Sequence, residues 1–287
     1  MQILFNLTFS HHLAEFNSYF TINNFVFSII IEFLVADKPA RASVLNMQSS
    51  NSQYFCPCCL AQTKTRTING KRHIFVPLNQ ELFPRTNEGY AACAYSADST
   101  RLPEYGIKGT CFLQNISNIN IITFNLFDYM HAVCLGIFKS LLNLLFLNSS
   151  TIVSFRSSVK TIDRDILNIV FSSAIVKSQP LLCNHSTWKA KDFRNFFFFC
   201  FPFLNIGPHI IIDSILQLRK GIIVLFENVT HEKCEIARTS FSNFINGFAQ
   251  VFGEEFLTPN FHDLHHLPDM ALKCGSIADF SGLTLST

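Results

Sequence analysis

The order of hydrophobic and polar positions predicts one strand near the N-terminus. Residues 25–36 form an almost continuous run of β-branched and aromatic side chains, which is typical of a strand buried on both faces of a sheet. The run ends at Asp37, and Pro39 lies where a helix would begin, so Asp37 is predicted to cap that helix. An acidic residue after a buried strand is also where α/β folds place chemistry, and the two roles are compatible.

The positions that follow predict a long loop and then a mainly helical region. Residues 49–110 are polar and rich in turn residues, and a loop of this length usually carries a function or a metal. Beyond it the apolar spacing becomes helical. The predicted helical segments are 125–147, 150–180, 188–203, 209–227, 231–252 and 262–272. No internal repeat is visible. One predicted strand followed by a loop and a series of helices predicts a mixed α/β fold with a large helical part.

The composition is typical of a chain with a substantial core. Of its 287 residues, 48% are hydrophobic and 15% are charged, and the net charge of +2 gives no electrostatic case for nucleic-acid binding. The ten Cys are too sparse for a disulfide framework and indicate a reducing compartment. Because the apolar runs are shorter than a bilayer requires and the N-terminus has no basic leader, we expect no membrane segment and no signal peptide.

Phenylalanine is unusually abundant, with 32 residues, four of them consecutive at 196–199. We interpret this excess as compositional drift and expect exposed Phe to favour aggregation.

Cysteine and histidine residues occur at spacings that suit a metal. Cys56 and Cys59 form a Cys-x-x-Cys pair, which is half of a tetrahedral zinc site and needs two further ligands. Asp128 and His131 share one helix face, and so do His262 and His266. These six residues are the candidate metal ligands, and an adventitious cluster in a Cys-rich chain is the alternative. The metalloprotease signature His-Glu-x-x-His is absent.

A local basic segment surrounds the single Trp. Trp188 is followed by Lys189, Lys191 and Arg194, which would suit a patch that faces phosphates. The alternative is an amphipathic helix with Trp188 in the core and the charged residues in solvent, and the segment alone favours this alternative.

Seven short motifs in this order resemble a known family. They are Val35-Ala-Asp-Lys-Pro-Ala-Arg-Ala42, Tyr54-Phe-Cys-Pro-Cys-Cys59, Arg85-Thr-Asn-Glu-Gly-Tyr90, Gly106-Ile-Lys-Gly-Thr110, Phe127-Asp-Tyr-Met-His131 with its continuation to Lys139, Trp188-Lys-Ala-Lys-Asp-Phe-Arg194, and Asn260-Phe-His262 with the later Gly275-Ser-Ile-Ala-Asp-Phe-Ser281. The set resembles transposase-like proteins of animal DNA transposons related to the CACTA (En/Spm-type) group. Each motif is weak alone, and the shared order over nearly the whole chain carries the resemblance.

The resemblance implies an RNase H-like domain interrupted by a helical insertion. In that family three acidic residues hold two Mg²⁺ ions for DNA cleavage and strand transfer. Asp37 would be the second catalytic acid, Asp128 and His131 would be the Asp-x-x-His signature of the insertion, and Cys56 with Cys59 would be the family's Cys pair. Trp188 and Lys189 would match its Trp-basic signature. DNA, specifically transposon ends, would be the partner, and the nucleus would be the location.

Two departures from the family pattern lead us to expect an inactive fragment. Nothing in residues 1–24 resembles the first catalytic acid, and Ser286 falls roughly where the catalytic Glu is expected. A hydroxyl cannot replace a carboxylate as a charged Mg²⁺ ligand. The alternatives are a non-catalytic, zinc-stabilised module that binds DNA or protein, and a decaying relic without function.

The resemblance also divides the chain into four parts. We expect a remnant of an incomplete RNase H-like core at 1–48, a Cys-x-x-Cys loop region at 49–124, the helical insertion at 125–259, and a C-terminal return to the core at 260–287.

Overall fold

The fold is mixed α/β and mostly helical, as the hydrophobic pattern predicts. The computed structural model describes residues 20–22, 25–27, 33–116, 119–147, 154–170, 180–203 and 209–279. The predictions for Ser286 and for residues 1–19 lie outside the described residues.

The described strands form three separate pairs. They are β1 (Phe20–Ile22), β2 (Phe25–Phe27), β3 (Leu34–Ala36), β4 (Lys64–Ile68), β5 (Lys71–Phe75) and β6 (Asn125–Phe127). Strands β1 and β2 are antiparallel, as are β4 and β5, whereas β3 runs parallel to β6 with Val35 opposite Leu126.

The strand predicted over residues 25–36 is present only in part, and residues 28–32 of it lie outside the described residues. Residues 25–27 form β2 and residues 34–36 form β3, whereas Phe33 is exposed and outside any strand. The residues of β3 are only half-buried, so the prediction of a strand buried on both faces is wrong for β3. Among the described residues β3 pairs only with β6, and a run of β-branched side chains does not by itself bury both faces of a strand.

The helices account for most of the described chain. The α-helices are α1 (Lys38–Val44), α2 (Asn87–Thr100), α3 (Ile121–Phe124), α4 (Lys139–Phe146), α5 (Val159–Leu167), α6 (Ala190–Asn195), α7 (His209–Val224), α8 (His231–Phe252), α9 (Pro259–Asp263) and α10 (Leu267–Cys274). There are two π-helical stretches. Met130–Phe138 directly precedes α4, and Phe196–Cys200 directly follows α6. Short 3₁₀ turns lie at 112–115, 156–158, 182–187, 201–203 and 254–256.

The cap predicted at Asp37 is confirmed. Its Oδ1 accepts a hydrogen bond from the Ala40 backbone N–H at 2.9 Å, and Pro39 lies in the first turn of α1. The cap satisfies a backbone donor that the helix itself leaves unpaired.

The region predicted as an irregular loop contains regular structure. Residues 64–75 form a hairpin, and Asn69 and Gly70 at its turn both have positive φ, as a two-residue type I′ turn requires. Thr86 caps α2 by accepting a hydrogen bond from the Gly89 N–H. The Asn-Gly dipeptide and the Thr cap are local signals of a hairpin and of a helix start. The prediction of a loop followed the polar composition of the region and did not use them.

Two of the predicted helices match the structure closely, and two other predicted segments are helical over only part of their length. Helices α7 and α8 match the predicted segments 209–227 and 231–252 closely. The segment 125–147 begins instead as strand β6 and becomes helical after Asp128. The segment 262–272 is divided, because α9 ends at Asp263 and α10 begins at Leu267.

The main core lies in the helical part and is rich in phenylalanine. Helices α7 and α8 pack along each other, and the π-helical stretch at 130–138, α6 and α10 complete the cluster. Phe196, Phe197, Phe198 and Phe201 are all buried there, and Phe138 lies 4.7 Å from Phe197 between ring centroids. The consecutive Phe residues thus pack a core rather than forming an exposed aromatic surface.

A smaller core connects α1, α2 and the segment before β6. Its buried members include Leu45, Tyr90, Ile107 and Phe124, and the Tyr90 hydroxyl donates to the Leu45 carbonyl. Within the described residues, no helix is both long enough and apolar enough to cross a membrane.

Gly136 lies at a close contact between the π-helical stretch and α9. A Cβ atom at this position would lie 2.5 Å from Asn260 Nδ2 and 2.9 Å from the His131 carbonyl oxygen. The stretch can therefore approach Asn260 only because residue 136 has no side chain.

We predict that Gly136→Ala destabilises the protein by about 1–3 kcal/mol, as overpacking does, although Ala is about 1 kcal/mol better than Gly in an ordinary helix. Urea unfolding followed by circular dichroism measures the change. The double variant Gly136→Ala/Asn260→Ala removes the obstructing amide and should recover part of the loss. Equal stability of Gly136→Ala and the wild type would contradict this packing.

Candidate metal centre

Two Cys and two His side chains from distant parts of the chain converge on one point. The ligand atoms of Cys56, Cys59, His262 and His266 all lie within 4.8 Å of one another. Cys59 and His262 are separated by 203 positions in the sequence, yet Cys59 Sγ lies 3.2 Å from His262 Nε2. The cluster could hold a metal ion such as zinc.

The spacing of the four atoms suits a tetrahedral ion. With bonds of about 2.3 Å to sulfur and about 2.0 Å to nitrogen, tetrahedral zinc separates S from N by about 3.5 Å and N from N by about 3.3 Å. His266 Nε2 lies 3.4 Å from Cys56 Sγ, 3.5 Å from Cys59 Sγ and 3.1 Å from His262 Nε2. These separations leave room for one small ion and agree with zinc geometry to within a few tenths of an ångström.

The donors lie away from solvent, and their surroundings shift the pKa values of the thiols and of His266. Cys56, Cys59 and His262 are only 1–2% exposed, and His266 is half-buried. Burial by itself raises the pKa of Cys56, but hydrogen bonds from Cys58 and Cys59 and the nearby His266 together hold its pKa well below the usual value. Burial alone would lower the pKa of His266, but the Cys56 charge raises it overall.

The pKa values of the two neighbouring thiols, Cys58 and Cys59, shift in the opposite direction to that of Cys56. Hydrogen bonding to the Cys56 thiolate, together with burial, raises the pKa of both Cys58 and Cys59. Because a metal binds the thiolate, a cation at this point would displace the Cys59 proton and bind less tightly as the pH falls.

A buried arginine holds the Cys-x-x-Cys turn in place. Arg85 Nε donates to the Cys56 carbonyl at 2.8 Å and to the Cys59 carbonyl at 3.2 Å, and Nη2 donates to the Tyr105 carbonyl at 2.7 Å. The Arg85 backbone N–H donates to the Cys58 carbonyl at 2.9 Å. Sequence reasoning found Arg85 only as part of a motif, because its partners are backbone carbonyls that no spacing rule identifies.

The two histidines come from the break between α9 and α10. His262 lies in the last turn of α9 and His266 directly precedes α10, so the predicted shared helix face is not what aligns them. An ion pair between Lys38 and Asp263 joins α9 to α1, and Lys38 Nζ also donates to the Pro259 carbonyl at 3.2 Å. Burial lowers the pKa of Lys38, and Asp263 offsets part of this effect.

Asp128 and His131 lie apart from this cluster. His131 Nδ1 lies 2.6 Å from Asp128 Oδ2, and the Met130 N–H donates to Asp128 Oδ1 at 2.9 Å. The six candidate ligands therefore divide into a Cys₂His₂ cluster and a separate Asp–His pair, and the pair is not among the described groups that could hold a metal.

The Asp–His pair lines a cavity of about 190 Å³ at the carboxyl ends of β3 and β6. Asp37 follows β3 and Asp128 follows β6, so the two carboxylates enter the cavity from adjacent parallel strands. Lys38, Arg41 and Asp263 also line it. The Arg41 guanidinium lies 4.0 Å from the centroid of the Phe127 ring.

The Trp188 segment agrees with the alternative of an amphipathic helix, in which Trp188 packs in the core and the charged residues face solvent. Trp188 is half-buried, and its ring centroid lies 5.2 Å from those of both Phe193 and Phe196. Lys189 and Lys191 are exposed, and Arg194 is half-buried. The Lys189 backbone N–H donates to Asp192 at the start of α6. Trp188 thus anchors this helix start in the core, and the neighbouring lysines face solvent.

We predict that the purified protein binds one Co²⁺ ion per chain, with the visible spectrum of a tetrahedral thiolate complex. Cys59→Ser and His262→Gln should each weaken binding by at least 10-fold, as loss of a direct ligand requires. His131→Gln is the matched control and should bind as the wild type does. A spectrum changed by His131→Gln and unchanged by His262→Gln would contradict the assignment.

Comparisons with protein-family models, with curated proteins and with solved structures find no match to this chain. The resemblance to transposase-like proteins therefore rests on the order of its short motifs, and the chemistry of the chain rests on the geometry described above.

Proposed function

We propose that this chain is a transposase-like protein, stabilised by zinc, that binds DNA and does not itself perform strand transfer. The convergence of Cys56, Cys59, His262 and His266 carries the proposal. A decayed sequence without function has no reason to retain four donors that meet only in the folded state. This observation favours a module that folds around a metal.

The donor set supports a structural role for the metal. Two thiolates and two imidazoles form a complete tetrahedral shell, whereas catalytic zinc sites keep one position open for water or substrate. The cluster joins the turn held by Arg85 to the break between α9 and α10. A zinc ion there would link the two ends of the described chain, and the free energy of zinc binding would add to the free energy of folding.

The cavity at β3 and β6 supports an origin in an RNase H-like core. The resemblance implies a catalytic acid at a strand end, and Asp37 lies at the carboxyl end of β3, beside the parallel strand β6. DNA as partner and the nucleus as location follow from this origin and belong to the same proposal.

The partners of the carboxylates support the absence of catalysis. A two-metal mechanism needs carboxylates that hold the ions on both sides of the scissile phosphate. Asp37 caps α1, Asp128 bonds to His131 and the Met130 N–H, and Asp263 is paired with Lys38. These contacts give each carboxylate a role in holding the fold together.

We predict that removing zinc destabilises the fold. If free zinc exceeds its Kd about 1,000-fold, binding contributes about 4 kcal/mol, which corresponds to a fall in Tm of about 8–16 °C in a protein of this size. Differential scanning calorimetry with and without a chelator measures the shift, and elemental analysis should give one zinc per chain. The Cys59→Ser variant is the control, because its Tm should no longer respond to chelation. A wild type without zinc that melts unchanged in chelator would refute the structural role.

We further predict that the zinc-loaded protein does not nick supercoiled plasmid in the presence of Mg²⁺ or Mn²⁺. Agarose gels of the wild type and of Asp37→Ala should be identical, since Asp37 is a helix cap in this proposal. Asp37→Ala should instead lower the free energy of unfolding by about 1 kcal/mol. Metal-dependent nicking that disappears in Asp37→Ala would show that the protein is an active nuclease.

A further inference from the structure

The hairpin formed by β4 and β5 concentrates positive charge. Its twelve residues, 64–75, include Lys64, Arg66, Lys71 and Arg72 and contain no Asp or Glu. Because the whole chain has a net charge of +2, the remainder of the chain has a net charge of −2. The near-neutral total therefore conceals a strongly basic local element.

These charges face solvent. All four basic residues of the hairpin are exposed. Arg66 is paired with Glu255, with Nη1 and Oε2 3.1 Å apart, whereas no described ion pair within 4.0 Å involves Lys64, Lys71 or Arg72. Three cations are thus available to an external anion at little desolvation cost.

The hairpin is supported at its base and free at its tip. The Thr63 N–H donates to the Gln53 carbonyl and the Val76 N–H donates to the Leu257 carbonyl, both at 2.9 Å. The His73 ring packs on Phe256, with 5.0 Å between centroids. Beyond this support, the turn at Asn69 and Gly70 is exposed. Residues 60–63 connect the Cys-x-x-Cys turn to the hairpin, so the hairpin starts close to the Cys₂His₂ cluster in sequence.

We propose that the hairpin at 64–75 is a contact element for duplex DNA, with Lys64, Lys71 and Arg72 bound to backbone phosphates. This inference rests on the proposed function and specifies the surface that performs it. A two-stranded ribbon fits into the major groove of B-DNA, and five residues per strand extend about 17 Å along it. In the register of the hairpin, Arg72 points to one face and Lys64 and Lys71 to the other. The ribbon therefore carries cations on both of its faces, within reach of phosphates that flank the groove.

The side chains of the hairpin favour a DNA duplex over other nucleic acids. Single-strand binding surfaces carry aromatic side chains on which bases stack, but the exposed residues here are Lys, Arg, Thr, Asn and Gly. The single aromatic residue, Phe75, is buried. Duplex RNA has a deep, narrow major groove that does not admit a ribbon. The exposed hydroxyls of Thr65 and Thr67 could also donate to phosphate oxygens.

The test compares two double variants that remove the same charge from the full-length, zinc-loaded protein. Lys71→Gln/Arg72→Gln removes two cations from the hairpin, and Lys189→Gln/Lys191→Gln removes two exposed cations from the segment at the start of α6. Fluorescence anisotropy with a 20-base-pair DNA duplex at several salt concentrations gives the Kd and its salt dependence. Zinc content and circular dichroism confirm that both variants remain folded.

We expect the hairpin variant to bind at least 10-fold more weakly at low salt, with a plot of log K against log salt that is shallower by about 2. The control variant should bind as the wild type does. If the control variant loses binding and the hairpin variant keeps it, the contact surface is at α6 and the hairpin proposal fails while DNA binding stands. If the zinc-loaded wild type binds no DNA, DNA binding and the hairpin proposal both fail.

The same protein is measured with single-stranded DNA, with duplex RNA and with vesicles that contain phosphatidylserine. Duplex DNA should bind at least 10-fold more tightly than each of these. Equal affinity for all four would show a general polyanion surface and would overturn the assignment to duplex DNA.

Discussion

The convergence of two thiols and two imidazoles joins the Cys-x-x-Cys turn to the break between α9 and α10, two parts of the chain that are far apart in sequence. The sheets are pairs of short strands, and the Cys-x-x-Cys turn has only a small core of its own around Phe55, Ala61 and Val76. A cluster of this size buries little apolar surface, and the hydrogen bond from Val76 to Leu257 and the packing of His73 on Phe256 supplement it. Coordination of one ion by residues more than 200 positions apart would add a further link.

The groups around the cluster position it from both sides. Arg85 binds three backbone carbonyls of the turn and its neighbourhood, and the Lys38–Asp263 ion pair ties α9 to α1. Buried charges persist only when their hydrogen bonds are satisfied, and each of these groups has its partners. Asp37 in turn caps α1, so the cavity at β3 and β6 and the Cys₂His₂ cluster share one supporting helix.

The buried groups and the exposed charge lie in different parts of the described chain. The Cys₂His₂ cluster and the phenylalanine core lie in the interior, whereas the hairpin that follows the Cys-x-x-Cys turn carries exposed positive charge. A charged ribbon anchored on a rigid base would lose less entropy on binding a partner than a flexible segment would. The proposed DNA-binding role therefore does not depend on catalytic acids.

Local chemistry in the sequence determined the short-range features. The Asp37 cap, helices α7 and α8, and the choice of Cys56 and Cys59 as candidate metal ligands all follow from spacing and residue type. Only the tertiary structure decided which histidines join the cysteines, because pairing across 203 positions depends on packing and not on local periodicity. The tertiary structure also placed residues 25–27 and 34–36 of the predicted strand in different strand pairs. The pairing of β3 with β6 depends on a distant partner that a linear pattern does not contain, whereas the charged hairpin follows from its local Asn-Gly turn, a signal that the polar composition of the region outweighed.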